Sequence, residues 1–463
     1  MSVHPNFNRS LVIVLILVCV AAISRLIPPF QSPDENFHLL RADMIAHGQW
    51  LLKSEDGTNG REGGLVDTNF QKFASVMLSI AGPGSNKEPA SELIAHAEKI
   101  RWSDQKAFEK AAGTGYYLPI IYAPHALGLY ISRQLNLTMR SSYALSRGVV
   151  LLTSVALMGW ALSLYTPNVV TLMLLMTPMT LFQLSSPTID GLCSAMAMVV
   201  IGLWFHLSST SQQSDNSQIS SRELILYGLI LILCTARTNL LPLLLIPVLI
   251  LYVNYTRQRL LAVMGLYIAT LGWIAFSVLS TYDNRVVRQY STVEILTRYI
   301  TSPLEFLDLL FRTISDQDTR RFYRDSFFGI LGWLDTPIPR QAVRVLAVAV
   351  GLTVLIMAVI TRWRQAVVTR ASLLFIGLAS TVLIFFAMAV SWTTYPAQTI
   401  LGIQGRYFLI PCLFMAAALG HVQPGARSLG RIEITAILSF FSYSLYLLVS
   451  TLTAQYGMVK MNW

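Results

Sequence analysis

Charge is scarce in this chain. Of 463 residues only 13% are Asp, Glu, Lys or Arg while 54% are apolar, against roughly 25% charged in soluble domains. A water-soluble fold is excluded. Cysteine is equally sparse: Cys19, Cys193, Cys234 and Cys412 all fall in or beside apolar runs, where they act as small hydrophobes rather than as a disulfide or metal framework. Histidine offers no metal-ligand spacing either, because His4, His38, His47, His96, His125, His206 and His421 are scattered. Any metal would be a hard divalent ion, Mg or Mn, held by carboxylates, and nothing in the sequence requires one. No Gly-x-x-x-x-Gly-Lys-Ser/Thr loop and no Asp-x-Asp domain is present, which disfavours direct use of a nucleotide sugar. Internal repeats are absent too.

What the chain does have is long apolar runs. Leu11 to Ile27, Val149 to Leu164, Val345 to Ile360 and Leu373 to Val390 approach the ~20 residues that cross ~30 Å of hydrocarbon. Runs begin near residues 10, 142, 168, 190, 223, 239, 259, 345, 371, 406 and 432, which predicts about eleven spans. The first has the Arg9 and small-residue flanks of a signal peptide, yet it leads straight into the most informative motif and is read as a retained span. Tyr116 to Gln134 carries Pro119, Pro124, His125 and Arg133, so it is read as interfacial or re-entrant. That choice puts Arg9, Arg222, Arg257, Arg259, Arg362, Arg364, Arg370, Arg427 and Arg431 on one side, as the positive-inside bias requires. The net charge of +10 is thereby explained by topology rather than by nucleic acid. The amino terminus is expected inside and the carboxyl terminus outside. Two large outer insertions follow, residues 31–141 and 280–344, in a single membrane domain, with Ser208 to Ser221 as a flexible inner loop.

The first outer loop opens Pro28-Pro29-Phe30-Gln31-Ser32-Pro33-Asp34-Glu35-Asn36-Phe37-His38. Phe37, Leu40, Met44 and Ile45, with Arg41 and Asp43 between them, fit an amphipathic helix lying in the membrane interface. Asp34 and Glu35 either cap that helix or do chemistry as a general base or cation ligand.

Ser32-Pro33-Asp34-Glu35 with Phe37-His38 and Arg41 resembles the start of the first outer loop in a bacterial family of predicted membrane proteins allied to GT-C glycosyltransferases. Further matches follow in order: Tyr116-Tyr117-Leu118-Pro119; Thr177-Pro178-Met179 leading to Ser186-Pro187-Thr188-Ile189-Asp190-Gly191; Gly332-Trp333-Leu334-Asp335-Thr336-Pro337; and Gly402-Ile403-Gln404-Gly405-Arg406-Tyr407-Phe408. They spread over residues 32–408.

The resemblance implies an all-α transmembrane bundle of GT-C type with interfacial helices in its first loop. It implies a sugar donor carried on polyprenyl phosphate in a bacterial inner membrane, and a periplasmic active site with Asp34 as catalyst or, second, Glu35. Asp190 is a second acidic candidate, although Thr188-Ile189 separate it from Pro187 where the family commonly has Pro-Asp; capping of its helix is the other reading. Arg406, Arg237 and Arg41 are expected to hold the donor phosphate, because guanidinium grips two phosphate oxygens at once. Arg237 also stands as an isolated charge between apolar runs, or simply marks a hairpin turn. Tyr116, Tyr117, Trp333, Gln404 and Tyr407 are expected at the substrate, with the aromatic belt as the alternative for Trp333. The expected acceptor is a surface glycan such as O-antigen or lipopolysaccharide, a teichoic acid, a lipid or a protein, and the resemblance does not choose among them. A flippase of lipid-linked sugars and an O-antigen polymerase or ligase are the competing functions; a transporter would show inverted repeats and mid-span charges, which the sequence lacks.

Overall fold

The computed structural model describes residues 9–55, 60–82, 91–111, 113–210, 218–283, 289–420 and 430–457. His4, His421, Arg427 and residues 211–217 of the 208–221 loop lie outside these residues.

Helix α1 (Arg9–Ser24) leads into the first insertion, which holds α2 (Glu35–Ala46), β1 (Gly63–Asp67), α3 (Thr68–Ala81), α4 (Ser91–Ala97), β2 (Lys106–Lys110) and α5 (Ala123–Gln134). The bundle continues through α6 (Met139–Leu164), α7 (Val169–Leu175), α8 (Pro178–Leu184), α9 (Ile189–Thr210), α10 (Ser221–Ala236), a 3-10 turn at Thr238–Leu244, α11 (Leu245–Val253) and α12 (Arg257–Ser280). The second insertion holds α13 (Thr292–Thr301), α14 (Pro303–Ser315), α15 (Gln317–Phe328) and the two-residue strands β3 (Ile330–Leu331) and β4 (Thr336–Pro337). Last come α16 (Arg340–Ile360), α17 (Val367–Ser391), a 3-10 turn at Gly405–Phe408, α18 (Leu409–Ala418) and α19 (Arg431–Tyr456).

All eleven apolar runs fold as helix, but not as eleven long helices. Among the described residues six are long and apolar enough to cross a membrane: α6, α9, α12, α16, α17 and α19. The others are shorter for visible reasons. The run near 168 breaks where Thr177 caps a new helix and Pro178 takes its first position, and the run near 239 starts as a 3-10 turn around Pro242. The fragments α7 and α8 are buried almost throughout, so their broken backbone lies inside protein and not in lipid. Helix α5 has 12 residues, about 18 Å of helix, too short to span. It folds back on α6 as a hairpin: Gly128 packs against the Ser146 backbone, where a β-carbon would clash.

The bundle has a basic end and a loop-rich end. At the basic end Arg259 bridges to Glu223 at 3.1 Å, Arg222 meets His206, Arg370 donates to the Ala418 carbonyl, and Thr361 donates to that of Leu419 at 3.0 Å. These contacts place Arg222, Arg259 and Arg370, three of the nine arginines that the charge bias assigns to one side, at one end. Both insertions sit at the opposite end.

The first insertion corrects one expectation. Helix α2 does not lie on a membrane surface: it is buried on nearly every side, including Arg41 and Asp43. It forms the spine of a small subdomain with its own core of Phe30, Leu39, Met44, Phe70, Phe73 and Tyr143. The antiparallel pair β1–β2, in register from Gly63 opposite Lys110 to Asp67 opposite Lys106, closes over it. Those strands are invisible to periodicity, because Gly63-Gly64 and the Lys/Glu-rich partner do not alternate.

A polar network ties this subdomain together. Asp43 accepts from the Asp67 backbone N–H at 3.2 Å. Arg133 lies 3.3 Å from Asp43 and 3.7 Å from Asp67, meets His47 and stacks over Trp102 at 4.2 Å. Burial pushes the Asp43 carboxyl up to about 7, against the pull of Arg133 and Lys106. Burial and Arg133 push His47 down to about 4. The two groups oppose each other. The raised Asp43 contributes stability that is complete below its ordinary value and lost as pH rises through about 7; the depressed His47 contributes stability that is present above its ordinary value and lost as pH falls through about 4. Between pH 7 and 4 the thermal midpoint of the native chain is therefore expected to change little. His47→Asn should make it rise on acidification and Asp43→Asn should make it fall; parallel slopes in the two variants, measured by thermal shift, would refute the opposition.

Candidate functional site

Three charged residues from distant stretches converge at the loop-rich end. Asp190 sits in the first turn of α9, Arg237 follows the last residue of α10, and Arg406 lies in the 3-10 turn before α18. Arg237 forms a close ion pair with one carboxylate oxygen of Asp190. Arg406 lies 3.5 Å from the other, and Gln183 donates to it at 3.3 Å. Tyr407 lies beside both cations, with the guanidinium carbons of Arg406 and Arg237 at 5.5 and 5.9 Å from its ring centre.

Chain breaks make the convergence possible. The last turn of α8 and the residues Ser185 to Thr188 are buried, which brings Asp190 inward beside Gln183. Gly405 is pressed onto α15: a β-carbon there would meet the Tyr323 carbonyl and the Phe327 backbone, while its N–H donates to Ser326 Oγ at 2.8 Å. Only glycine fits so close an approach, and that approach sets the position of Arg406. Two cations and one carboxylate leave one net positive charge. Arg406 is only 8% exposed, yet its Nε has no partner, nor does the buried Oε1 of Gln404. A buried, unfilled guanidinium donor is costly unless something else satisfies it.

Next to this cluster stands Tyr122, which is wholly buried. His38 Nδ1 and the Tyr122 hydroxyl are 2.8 Å apart, and the charges of both Arg237 and Arg41 act on that hydroxyl. The Tyr117 ring lies 6.0 Å from that of His38. Asp34 immediately precedes α2, and the His38 N–H donates to its carbonyl at 3.0 Å. Asp34 is only partly buried. It occupies the N-cap position in the left-handed region, φ 63°, with no side-chain capping bond, so capping does not account for its side chain. A left-handed non-glycine residue is uncommon, although Asp tolerates it best among charged residues.

The structure reassigns several sequence candidates. Glu35 is fully buried: one oxygen accepts from the Phe30 N–H at 2.9 Å and the Tyr143 hydroxyl at 2.5 Å, the other from the Ser32 N–H at 3.0 Å. It knots the loop to α6 and is not presented to a substrate, so its place as second catalyst is withdrawn. Burial pushes its carboxyl up in spite of Arg147 and these donors. Arg41 is likewise buried, and it donates to the Trp50 carbonyl at 2.5 Å, which makes it a clamp on the chain leaving α2 rather than a free phosphate ligand. Trp333 donates to the Phe30 carbonyl at 2.8 Å and so ties the second insertion to the first. The Tyr116 carbonyl accepts from Trp273 at 3.0 Å. Gln404 and Tyr407 stand with Arg406.

Sequence reasoning passed over His38, Tyr122 and Gln183. A signal for His38 was present, since it lies four residues after Asp34 on a helix; Tyr122 was hidden in an apolar stretch with no pattern of its own. Among the described residues no group of three or more His, Cys, Asp or Glu is placed to hold a metal.

Contacts within or a few residues beside the five motif segments, far apart in the chain, join them at one end: Trp333 on Phe30, His38 on Tyr117, His125 on the Pro187 carbonyl at 3.1 Å, and Arg406 on Asp190. No curated protein and no solved structure matches the chain. A family described as predicted membrane protein, DUF2142, matches residues 17–415. That span covers every residue of the cluster, and the chain belongs to this family of membrane proteins of unknown function.

Proposed function

We propose that the protein is an inverting glycosyltransferase of GT-C type, which takes a sugar from a polyprenyl-phosphate donor and passes it to a cell-surface glycan or another periplasmic acceptor. In this reading the loop-rich end faces the periplasm of a bacterial inner membrane, and the shorter helices bring the crossings to about eleven. The observation that carries it is the meeting of Arg237 and Arg406 on Asp190, a cationic pair, one member buried and the other partly buried, at the end of a membrane bundle.

The chemistry is a single displacement. The oxygen of an acceptor hydroxyl bonds to the anomeric carbon, the bond from that carbon to the phosphate oxygen breaks, and polyprenyl phosphate departs with the electron pair. Charge builds on the departing phosphate, where two fixed guanidiniums stabilise it most. Asp190 is already paired with both arginines, so it suits the role of holding them parallel and apart. Asp34, at the edge of the same region, takes the hydroxyl proton in this reading. His38, held by Tyr122, lies four residues further on in α2.

The test is transfer of label from a polyprenyl-phospho-sugar pool in bacterial membranes to a larger glycan or protein. Native protein should transfer and Asp34→Asn should be slowed about 10²-fold or more. Equal transfer by both would remove Asp34 from the chemistry. If the native protein moves donor lipid between leaflets without transferring sugar, it is a flippase.

A further inference from the structure

The second insertion contains a helix pair whose surface no intramolecular packing explains. Helix α14 has three faces. Phe306, Leu309 and Thr313 are buried; Glu305, Asp308 and Arg312 form a polar strip, with Arg312 paired to Asp308 at 2.9 Å and Glu305 to Arg298 of α13 at 2.9 Å. On the third face Leu304, Leu307, Phe311 and Ile314 recur at three- and four-residue spacing and are all exposed, Leu304 at 77% and Phe311 at 66%. Ile300 at the end of α13 is exposed beside them at 64%. A water-facing helix would not carry such a stripe opposite a salt-bridged strip.

Its height along the bundle identifies what covers it. The buried face packs on α17: the Phe306 and Phe386 rings are 5.1 Å apart, and those of Tyr299 and Phe386 are 6.5 Å apart. Phe386 lies five residues before the end of α17, which has 25 residues. At 1.5 Å per residue that is about 8 Å inside a helix about 37 Å long. A ~30 Å hydrocarbon slab centred on such a helix would begin about 4 Å from its end. The α13–α14 pair therefore packs beside the bundle at the depth of the acyl-chain boundary, where amphipathic helices seat. On α17 itself Phe375, Leu378 and Val382 are exposed, so the stripe continues an apolar surface of a membrane-crossing helix.

The geometry points to α13–α14 as a hairpin seated in the leaflet at the loop-rich end, with Leu304, Leu307, Phe311, Ile314 and Ile300 among the lipid acyl chains and Asp308, Arg312, Glu305 and Arg298 at the headgroups. It is the interfacial amphipathic element that the sequence assigned to α2. The hairpin is also linked to the cationic cluster: α14 runs into α15, whose Tyr323 packs on Phe408 at 5.8 Å and whose Ser326 holds Gly405. Lipid seating would thus support the position of Arg406. The membrane-surface inference stands whatever reaction the site performs.

The experiment uses the full chain in phospholipid nanodiscs, in a background with the four native cysteines replaced by alanine. Nitroxide labels are placed on cysteines at Leu307, Phe311 and Asp308, one per variant. Labels at 307 and 311 should collide with oxygen, which concentrates in lipid, several-fold more than with a water-soluble nickel complex, and the label at 308 should show the reverse. Nickel access at 307 and 311 equal to that at 308 overturns the proposal. If the cysteine-free chain fails to fold, a photoreactive benzophenone amino acid at position 311 of the otherwise native chain gives the same answer. Adducts with phospholipid support lipid seating; a crosslinked dimer, or no lipid adduct, overturns it.

Discussion

Replacing Arg406 with glutamine is expected to lower sugar transfer roughly 10²–10³-fold, the usual cost of deleting one fixed donor to developing negative charge, while the chain still folds. Arg237 stays on Asp190 in that variant, so the carboxylate keeps a partner. Arg406→Lys should recover part of the loss: the charge returns, but the planar fork that grips two oxygens does not. The losses of Arg237→Gln and Arg406→Gln should not add in the double variant, because in the proposed reaction both cations serve one phosphate. Asp190→Asn should behave differently. It leaves two guanidiniums side by side with no counter-charge, so its first effect is on thermal stability, with transfer falling as a consequence. Turnover measured beside the thermal midpoint separates the cases, and an Arg406→Gln protein with native turnover would remove the phosphate role from this cluster.

Glu35→Ala should be the most destabilising change in the first insertion, on the order of 3–5 kcal/mol, because it strands the Phe30 and Ser32 N–H groups and the Tyr143 hydroxyl without an acceptor. It also leaves Arg147 beside an emptied site; that arginine donates to the Ser24 carbonyl at 2.5 Å and meets the Tyr143 hydroxyl, so the knot joins α1, α2 and α6. Glu35→Gln should recover little, since its amide N–H group must face a donor. By contrast Asp34→Asn should hold the native thermal midpoint, because Asn accepts the left-handed conformation at least as well as Asp. Thermal unfolding of the purified variants distinguishes the neighbours: a large drop for position 35 and almost none for position 34 is the expected pattern. Equal drops would mean that the adjacent carboxylates share one structural role.

This contrast shows where sequence reading stops. Asp34 and Glu35 are adjacent and chemically alike, and no pattern in the chain separates them. The difference comes from the turn that points one carboxylate back into three donors and leaves the other at the rim, and it depends on Tyr143, 108 residues away from Glu35. Arg41 is a similar case: the residue type suits phosphate, but the return of the chain at Gln49 and Trp50 places carbonyls on its guanidinium.

The sequence by itself determined that the chain is a membrane protein and where its apolar helices run, because hydrocarbon tolerates little besides helix. It also singled out Asp190, Arg237 and Arg406, since charge at the border of an apolar run stands out against so apolar a background. Tertiary structure alone decided that these three meet, that α2 is a buried spine and that α14 carries the apolar stripe to the surface. Such facts depend on which faces are covered by elements distant in sequence, and a residue does not encode what will be packed against it.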